Sequence, residues 1–138
     1  IPIRMVPLDV CHKTRFGREH LNQIGENAHP FCQFVQASVD PWLKINPNQD
    51  IIDQGLHLYD SLAMALCFIP ELADYKNAFV SVETQGEFTD GETVCEFNNS
   101  IMGQIFKPQP NAEVALEIDV DGFNRIFEER VTDFLSNL

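Results

Sequence analysis

The stretch Gly55 to Ile69, GLHLYDSLAMALCFI, decides how the rest of the chain is interpreted. Every residue from Leu62 to Ile69 is apolar, so the pattern predicts a helix that is hydrophobic on all sides and buried. Asp60 and Ser61 then fall in its first turn, where the helix dipole and free backbone N–H groups favour a carboxylate. Asp60 has two interpretations: a helix cap, which is the more common role, or a ligand for a hard cation or a polyol.

The composition suits one domain with a hydrophobic core, because 44% of the 138 residues are hydrophobic. The formal net charge of −12 argues against binding to nucleic acid or to an anionic membrane surface. No apolar run is long enough to span a membrane, and the N-terminal IPIRMVPLDV lacks the order of a signal peptide. The chain also lacks an initiator Met, so we expect a processed or shortened product, and its location, cytoplasmic or secreted, stays open.

The four cysteines are far apart in the sequence and form no C-x-x-C motif, which argues against a zinc site. Cys32 and Cys67 lie within apolar patterns, and we predict that both are buried thiols.

Met5 to Val10 is predicted as a short strand, although Pro7 removes one of its hydrogen-bond donors. Asp9 and His12 come at the end of this segment, so such a strand would deliver them to the carboxyl edge of a sheet. His12 is therefore a candidate site residue, and a solvated loop histidine is the alternative.

Helical patterns follow this strand. A two-turn helix is predicted for Arg18 to Ile24, and a longer one begins with Pro30 at its first position. Pro41 is expected to kink or end the longer helix. The segment Lys44 to Gln54 is rich in Asn, Asp and Pro, which predicts a surface loop and a candidate mobile wall of a site.

After Pro70 the pattern changes from helical to extended. Strands are predicted at Asn77 to Thr84, Glu92 to Phe97 and Glu113 to Asp119, with a turn at Gly86 to Gly91. In the third strand we expect the apolar side chains to share one face: Val114, Leu116 and Ile118. An amphipathic helix closes the chain. This order predicts an α/β fold with one parallel strand and a small antiparallel extension.

Asp119, Asp121 and Gly122 resemble part of an EF-hand loop, but the glycine is fourth rather than sixth and a strand precedes it. We therefore predict that Asp119 and Asp121 cap the last helix.

Four segments together resemble the nucleoside hydrolase family, and they occur in the order seen there: VPLDVCHKTRF at Val6 to Phe16, GLHLYDSLAMA at Gly55 to Ala65, VETQGEFTDGETV at Val82 to Val94, and ALEIDVDGF at Ala115 to Phe123. The resemblance covers only the C-terminal part of that family. It implies that residues 1–138 form a single partial domain, the C-terminal portion of an open sheet with flanking helices and a small antiparallel β extension.

The family's N-terminal signature, Asp-x-Asp-x-x-x-Asp-Asp, is absent. The only Asp-x-Asp, Asp119 to Asp121, has Arg125 and Ile126 where the second aspartate pair should be. In the family this signature supplies most calcium ligands and the base that activates water, so the resemblance implies that this chain alone is inactive.

The resemblance implies calcium-dependent cleavage of a ribonucleoside to ribose and free base, as in purine metabolism. Asp60 matches a calcium ligand of the family. Tyr59 stands where a histidine acid often stands, and a phenol is a poorer proton donor near neutral pH than an imidazole. His57 and Tyr59 are both candidate catalytic residues: His57 would substitute as the acid if its loop turns it inward, and the alternative for Tyr59 is an aromatic wall of the base pocket. Tyr59 and His12 are the candidate substrate-binding residues.

The leading hypothesis is therefore the C-terminal part of a ribonucleoside hydrolase. Its expected partners are a ribonucleoside, the missing N-terminal part or a second chain, and further copies of itself in a homo-oligomer. The alternative from another class is a nucleoside hydrolase-like protein that has lost catalysis and serves as a binding or structural component. A plain α/β interaction domain with fortuitous motifs is a third possibility.

Overall fold

The computed structural model describes residues 1–17, 22, 24, 26, 29–45 and 55–137, with the side chains of residues 42–45 left out. The helix predicted for Arg18 to Ile24 and the loop predicted for Lys44 to Gln54 lie mostly outside these residues. The chain divides into two compact units. The first comprises Ile1–Val10 and Ala73–Ile118, and the second comprises Cys11–Leu72 and Asp119–Leu138.

The first unit is built on an open, mixed sheet of four strands in the order β1-β4-β2-β3. The strands are β1 (Arg4–Met5), β2 (Ala73–Val82), β3 (Thr93–Glu96) and β4 (Ala112–Ile118). β1 runs parallel to β4, and the other two pairings are antiparallel. One parallel strand with an antiparallel extension is the arrangement that the sequence predicts. A short helix, α4 (Ile101–Phe106), connects β3 to β4.

The strand predicted for Met5 to Val10 is wrong. Pairing ends at Met5, and residues Leu8–Cys11 form a four-residue helix, α1. The physical reason is Pro7, which has no N–H for a ladder, and whose carbonyl accepts the Val10 N–H at 3.1 Å. His12 therefore follows a helical turn rather than the end of a strand.

The third predicted strand is present as β4, but its apolar residues do not share one face. Ala115 pairs with Tyr75, and Glu117 pairs with Asp74, so Leu116 is an extra residue in β4 at this irregularity. As a result Ala115 is buried, whereas Leu116 is 41% exposed. A bulge shifts the alternation, and the period of two in the sequence does not reveal it.

The second unit contains the three longer helices, α2 (Pro30–Ile45), α3 (Tyr59–Phe68) and α5 (Val120–Ser136). A 3-10 turn, Pro70–Leu72, follows α3. α2 begins at Pro30 as predicted, but it continues past Pro41 instead of ending there. Asp119 caps α5 as predicted, because its Oδ1 accepts the Gly122 N–H at 2.9 Å, whereas the prediction that Asp121 also caps the helix is wrong, since Asp121 lies inside its first turn.

The prediction that α3 is buried on all sides is wrong. Leu62 and Leu66, four residues apart on one face, are buried, whereas Met64 is 60% and Phe68 78% exposed. Cys67 lies on the exposed side too, so its predicted burial is also wrong, while Cys32 is buried as predicted. The described residues cover only one face of the helix.

No helix within the described ranges is long and apolar enough to cross a membrane.

Candidate functional site

Two segments of the second unit are joined by an isolated antiparallel bridge between Phe16 and Leu56. Its backbone hydrogen bonds are 2.8 Å from Phe16 N to Leu56 O and 3.0 Å from Leu56 N to Phe16 O. Gly55 makes this approach possible, since its φ is +89° and a Cβ there would lie 2.1 Å from Phe16 O. The bridge brings the segment after α1 to the start of α3.

Three predicted site residues form a cluster of rings at this junction. The His12 and His57 ring centroids are 4.8 Å apart, and those of His12 and Tyr59 are 5.8 Å apart with the rings nearly perpendicular. The His57 and Tyr59 centroids are 5.9 Å apart. The structure therefore places His12, His57 and Tyr59 together, although His12 reaches the cluster from a different element than the sequence predicts.

His57 is anchored to the protein backbone: its Nδ1 lies 3.0 Å from the backbone oxygen of Thr14. Thr14 is fully buried, and its Oγ1 donates to Cys11 O at 2.8 Å. The Tyr59 side chain, by contrast, is 42% exposed. An anchored imidazole beside an exposed phenol suits a proton donor next to a pocket wall.

Thr14 is the residue that reasoning from sequence missed. It lies within VPLDVCHKTRF, one of the four segments that carry the family resemblance, but a threonine after a histidine and a lysine has no signature of its own. Only the fold shows that its carbonyl meets His57, which is 43 positions further along the chain.

Asp60 is exposed and lies in the first turn of α3. The interpretation of Asp60 as a cap is wrong: the N-cap residue is Leu58, which makes no side-chain hydrogen bond, and the helix already begins at Tyr59. Among the described residues, no hydrogen bond or ion pair engages the Asp60 carboxylate. Its oxygens are thus available for a ligand.

A calcium ion needs six to eight oxygen ligands, of which carboxylates are the charged ones. Within the ranges that the structure covers, no three His, Cys, Asp or Glu side chains are grouped to hold a metal ion. The Asp60 carboxylate has the right chemistry for one ligand of a hard cation, but by itself it is not a site.

The chain matches the family model described as inosine-uridine preferring nucleoside hydrolase over residues 1–125. It is 31% identical over 136 residues to the pyrimidine-specific ribonucleoside hydrolase RihA of Citrobacter koseri, a match that covers 99% of this chain and 42% of the relative. It is 46% identical over 132 residues to the non-specific ribonucleoside hydrolase RihC of Shigella boydii, covering 91% of this chain and 38% of the relative. The chain thus spans about two fifths of the length of these curated relatives.

Solved structures show the same fold. A purine-preferring ribonucleoside hydrolase from Gardnerella vaginalis superposes with a TM-score of 0.79 at 23% identity, covering 99% of this chain and 42% of that one. The plant nucleoside hydrolase PpNRh1 superposes with a TM-score of 0.78 at 20% identity, covering 95% of this chain and 41% of that one. These likenesses confirm the predicted fold class.

The family match also shows that the motifs are not fortuitous, because one family model accounts for residues 1–125 as a whole. The chain belongs to the inosine-uridine preferring nucleoside hydrolase family.

Proposed function

We propose that this chain is the part of a ribonucleoside hydrolase that handles the departing base and supplies one calcium ligand. The observation that carries the proposal is the cluster of His12, His57 and Tyr59, in which the His57 ring is anchored on a buried backbone carbonyl. The reaction is cleavage of the N-glycosidic bond to give ribose and a free base.

In this proposal His57 is the acid that protonates the base as the bond breaks. Imidazole titrates near neutral pH and exchanges protons there far more readily than a phenol. Tyr59 then forms a wall of the base pocket, since an aromatic face stacks on a planar base and its ring is partly open to solvent. His12 completes the wall from the other segment of the bridge.

Asp60 is proposed as the ligand that this chain contributes to a calcium site. Its free, exposed carboxylate stands one residue after Tyr59, so a cation bound to it would be adjacent to the base pocket. When bound, calcium supplies a positive charge that orients the ribose hydroxyls and the attacking water. No group of three His, Cys, Asp or Glu side chains that could hold a metal ion is present among the described residues, so we propose that further carboxylate ligands come from another part of the protein.

We propose that the site is completed by the family's N-terminal part, carried on a longer chain or on a second one, and that these 138 residues alone do not catalyse. The length comparison supports this, since the match covers only 38–42% of the curated relatives. The open face of α3 supports it too, because Met64 and Phe68 line an apolar cavity of about 460 Å³ beside α5. We also propose that copies of the complete protein form a homo-oligomer, which size-exclusion chromatography would detect.

The second candidate is a nucleoside hydrolase-like protein that binds without catalysing. The observations that favour it are the missing aspartate signature and the phenol at position 59. Asp60 favours the enzyme, because its exposed carboxylate matches a calcium ligand of the family and has the right chemistry for a hard cation.

Two measurements separate these candidates. Intact mass of the protein from its source shows whether a longer or second chain is present. Release of free base is then measured with and without a calcium chelator. Inosine and uridine are both used as substrates, because the curated relatives are a pyrimidine-specific and a non-specific hydrolase. We expect hydrolysis by the complete protein, its loss on chelation, and none by the 138 residues alone. No hydrolysis of either nucleoside by the complete protein would exclude the enzyme and leave the binding protein.

A further inference from the structure

We infer that Thr14 is a positioning residue that holds His57 in a single tautomer, with the proton on Nδ1. The inference concerns the form of the ring, and its catalytic consequence rests on the proposed function of His57 as the acid. It assigns a role to a residue whose side chain is fully buried.

The tautomer follows from the chemistry of the two atoms that meet. The Thr14 carbonyl oxygen can only accept a hydrogen bond, so a contact of 3.0 Å with His57 Nδ1 requires the proton on that nitrogen. Nε2 of the neutral ring then carries the lone pair. If Nδ1 carried no proton, its lone pair would face a lone pair of the Thr14 carbonyl oxygen.

The acceptor is held in place by a closed turn. Thr14 N and Thr14 Oγ1 both donate to Cys11 O, at 3.1 and 2.8 Å, and the side chain is fully buried. Two residues later the Phe16–Leu56 bridge ties this segment to the one that carries His57. The carbonyl therefore cannot turn away without breaking the turn or the bridge.

This arrangement suits a proton donor that acts through Nε2. The charged ring gives its Nε2 proton to a nitrogen of the base, while the N-glycosidic bond breaks and its electron pair stays with the base; water bonds to the anomeric carbon of the ribose and loses its proton to a general base of the complete site. The ring returns to the neutral form with Nδ1–H still bound to Thr14 O. The hydrogen bond from His57 Nδ1 is therefore the same in the charged and in the neutral ring.

The test is a nitrogen-detected NMR spectrum of the histidine rings in the full 138-residue chain at a pH where they are neutral. His29 is the internal control, because its Nδ1 accepts the Phe31 N–H at 3.2 Å and must therefore be unprotonated. We expect His57 to show the Nδ1–H pattern and His29 the opposite, Nε2–H pattern. The same Nε2–H pattern for both rings would overturn the inference.

Two variants test the part played by Thr14. Thr14→Val keeps the shape of the side chain and the backbone N–H bond to Cys11 O, but it removes the Oγ1 bond to that oxygen, so we expect His57 to show a mixture of the two tautomers instead of a single one. Thr14→Ser keeps the hydroxyl and should preserve the pattern. If the valine variant folds and its His57 signals match wild type, Thr14 is not the positioning residue. Should the valine variant not fold, the wild-type and serine spectra still decide the inference.

Activity of the complete protein provides a separate readout. We expect Thr14→Val to lower kcat and to leave KM nearly unchanged. The fall in kcat should be less than about 10²-fold, which is the lower end of what general acid catalysis contributes. A protein that hydrolyses no nucleoside would defeat the proposed function and leave the tautomer result standing. Conversely, an active protein with His57 in the Nε2–H form would defeat only the present inference.

Discussion

Replacing Gly55 with alanine is expected to break the junction on which the ring cluster rests. The new Cβ would lie 2.1 Å from Phe16 O and 2.8 Å from Gly17 Cα, both backbone atoms that cannot rotate away. The φ of +89° adds about 1–2 kcal/mol of strain for an L-residue. Relieving the contact costs the two hydrogen bonds of the Phe16–Leu56 bridge, about 0.5–1.5 kcal/mol each. We therefore expect the free energy of unfolding to fall by roughly 2–5 kcal/mol.

Gly91→Ala is the matched control. Gly91 has nearly the same φ, +88°, but a Cβ there would meet no atom within 4 Å, so its variant should lose only the strain energy. Urea denaturation of wild type and both variants measures the difference. Equal losses in the two variants would refute the reasoning, because they would mean that the Phe16 contact contributes nothing.

Two further predictions concern stability. Asp119→Ala removes the acceptor for the Gly122 N–H at the start of α5 and should lower the free energy of unfolding by about 1 kcal/mol in urea denaturation, whereas Asp119→Asn should cost less. The pKa of Glu83 lies below its ordinary value of 4.5 because its carboxylate accepts backbone N–H groups, that of Gln85 first. That stabilisation is present above pH 4.5 and disappears as the pH falls through the lowered pKa, so Glu83→Gln should be less stable than wild type at neutral pH and equally stable in strong acid. A constant difference between the two proteins across that pH range would contradict it.

Helix α3 shows how much the sequence could predict. An uninterrupted apolar run starting at Leu62 fixes a helix, and Asp60 does lie in its first turn. The start of the helix at Tyr59 depends on the backbone bond from Leu62 N to Leu58 O, which gives the N-cap to Leu58. The sequence cannot show that the N-cap is Leu58 rather than Asp60, because aspartate is common both at the cap and inside the first turn.

Other features depend on contacts between distant parts of the chain, which a periodic pattern does not carry. The bulge at Leu116 depends on the register between β4 and β2, and the short β1 depends on the turn that follows Pro7. The approach of His12 to His57 depends on a bridge between residues that are 40 positions apart in the sequence. The residue types of the candidate site were therefore readable from sequence, but their grouping and the part played by Thr14 were not.

We propose that this chain supplies a cation ligand and an anchored acid to a nucleoside hydrolase site. The rate of base release by the complete protein at rising calcium concentration tests it most directly, for wild type, Asp60→Asn and Asp121→Asn. Asp121 is the control because it is also an exposed aspartate in the first turn of a helix, so both variants lose the same helix-dipole interaction.

We predict that Asp60→Asn needs at least about 10-fold more calcium for half-maximal rate, because the site loses a charged ligand. Asp121→Asn should match wild type. Identical calcium dependence in all three proteins, or hydrolysis that is unaffected by calcium, would contradict the account.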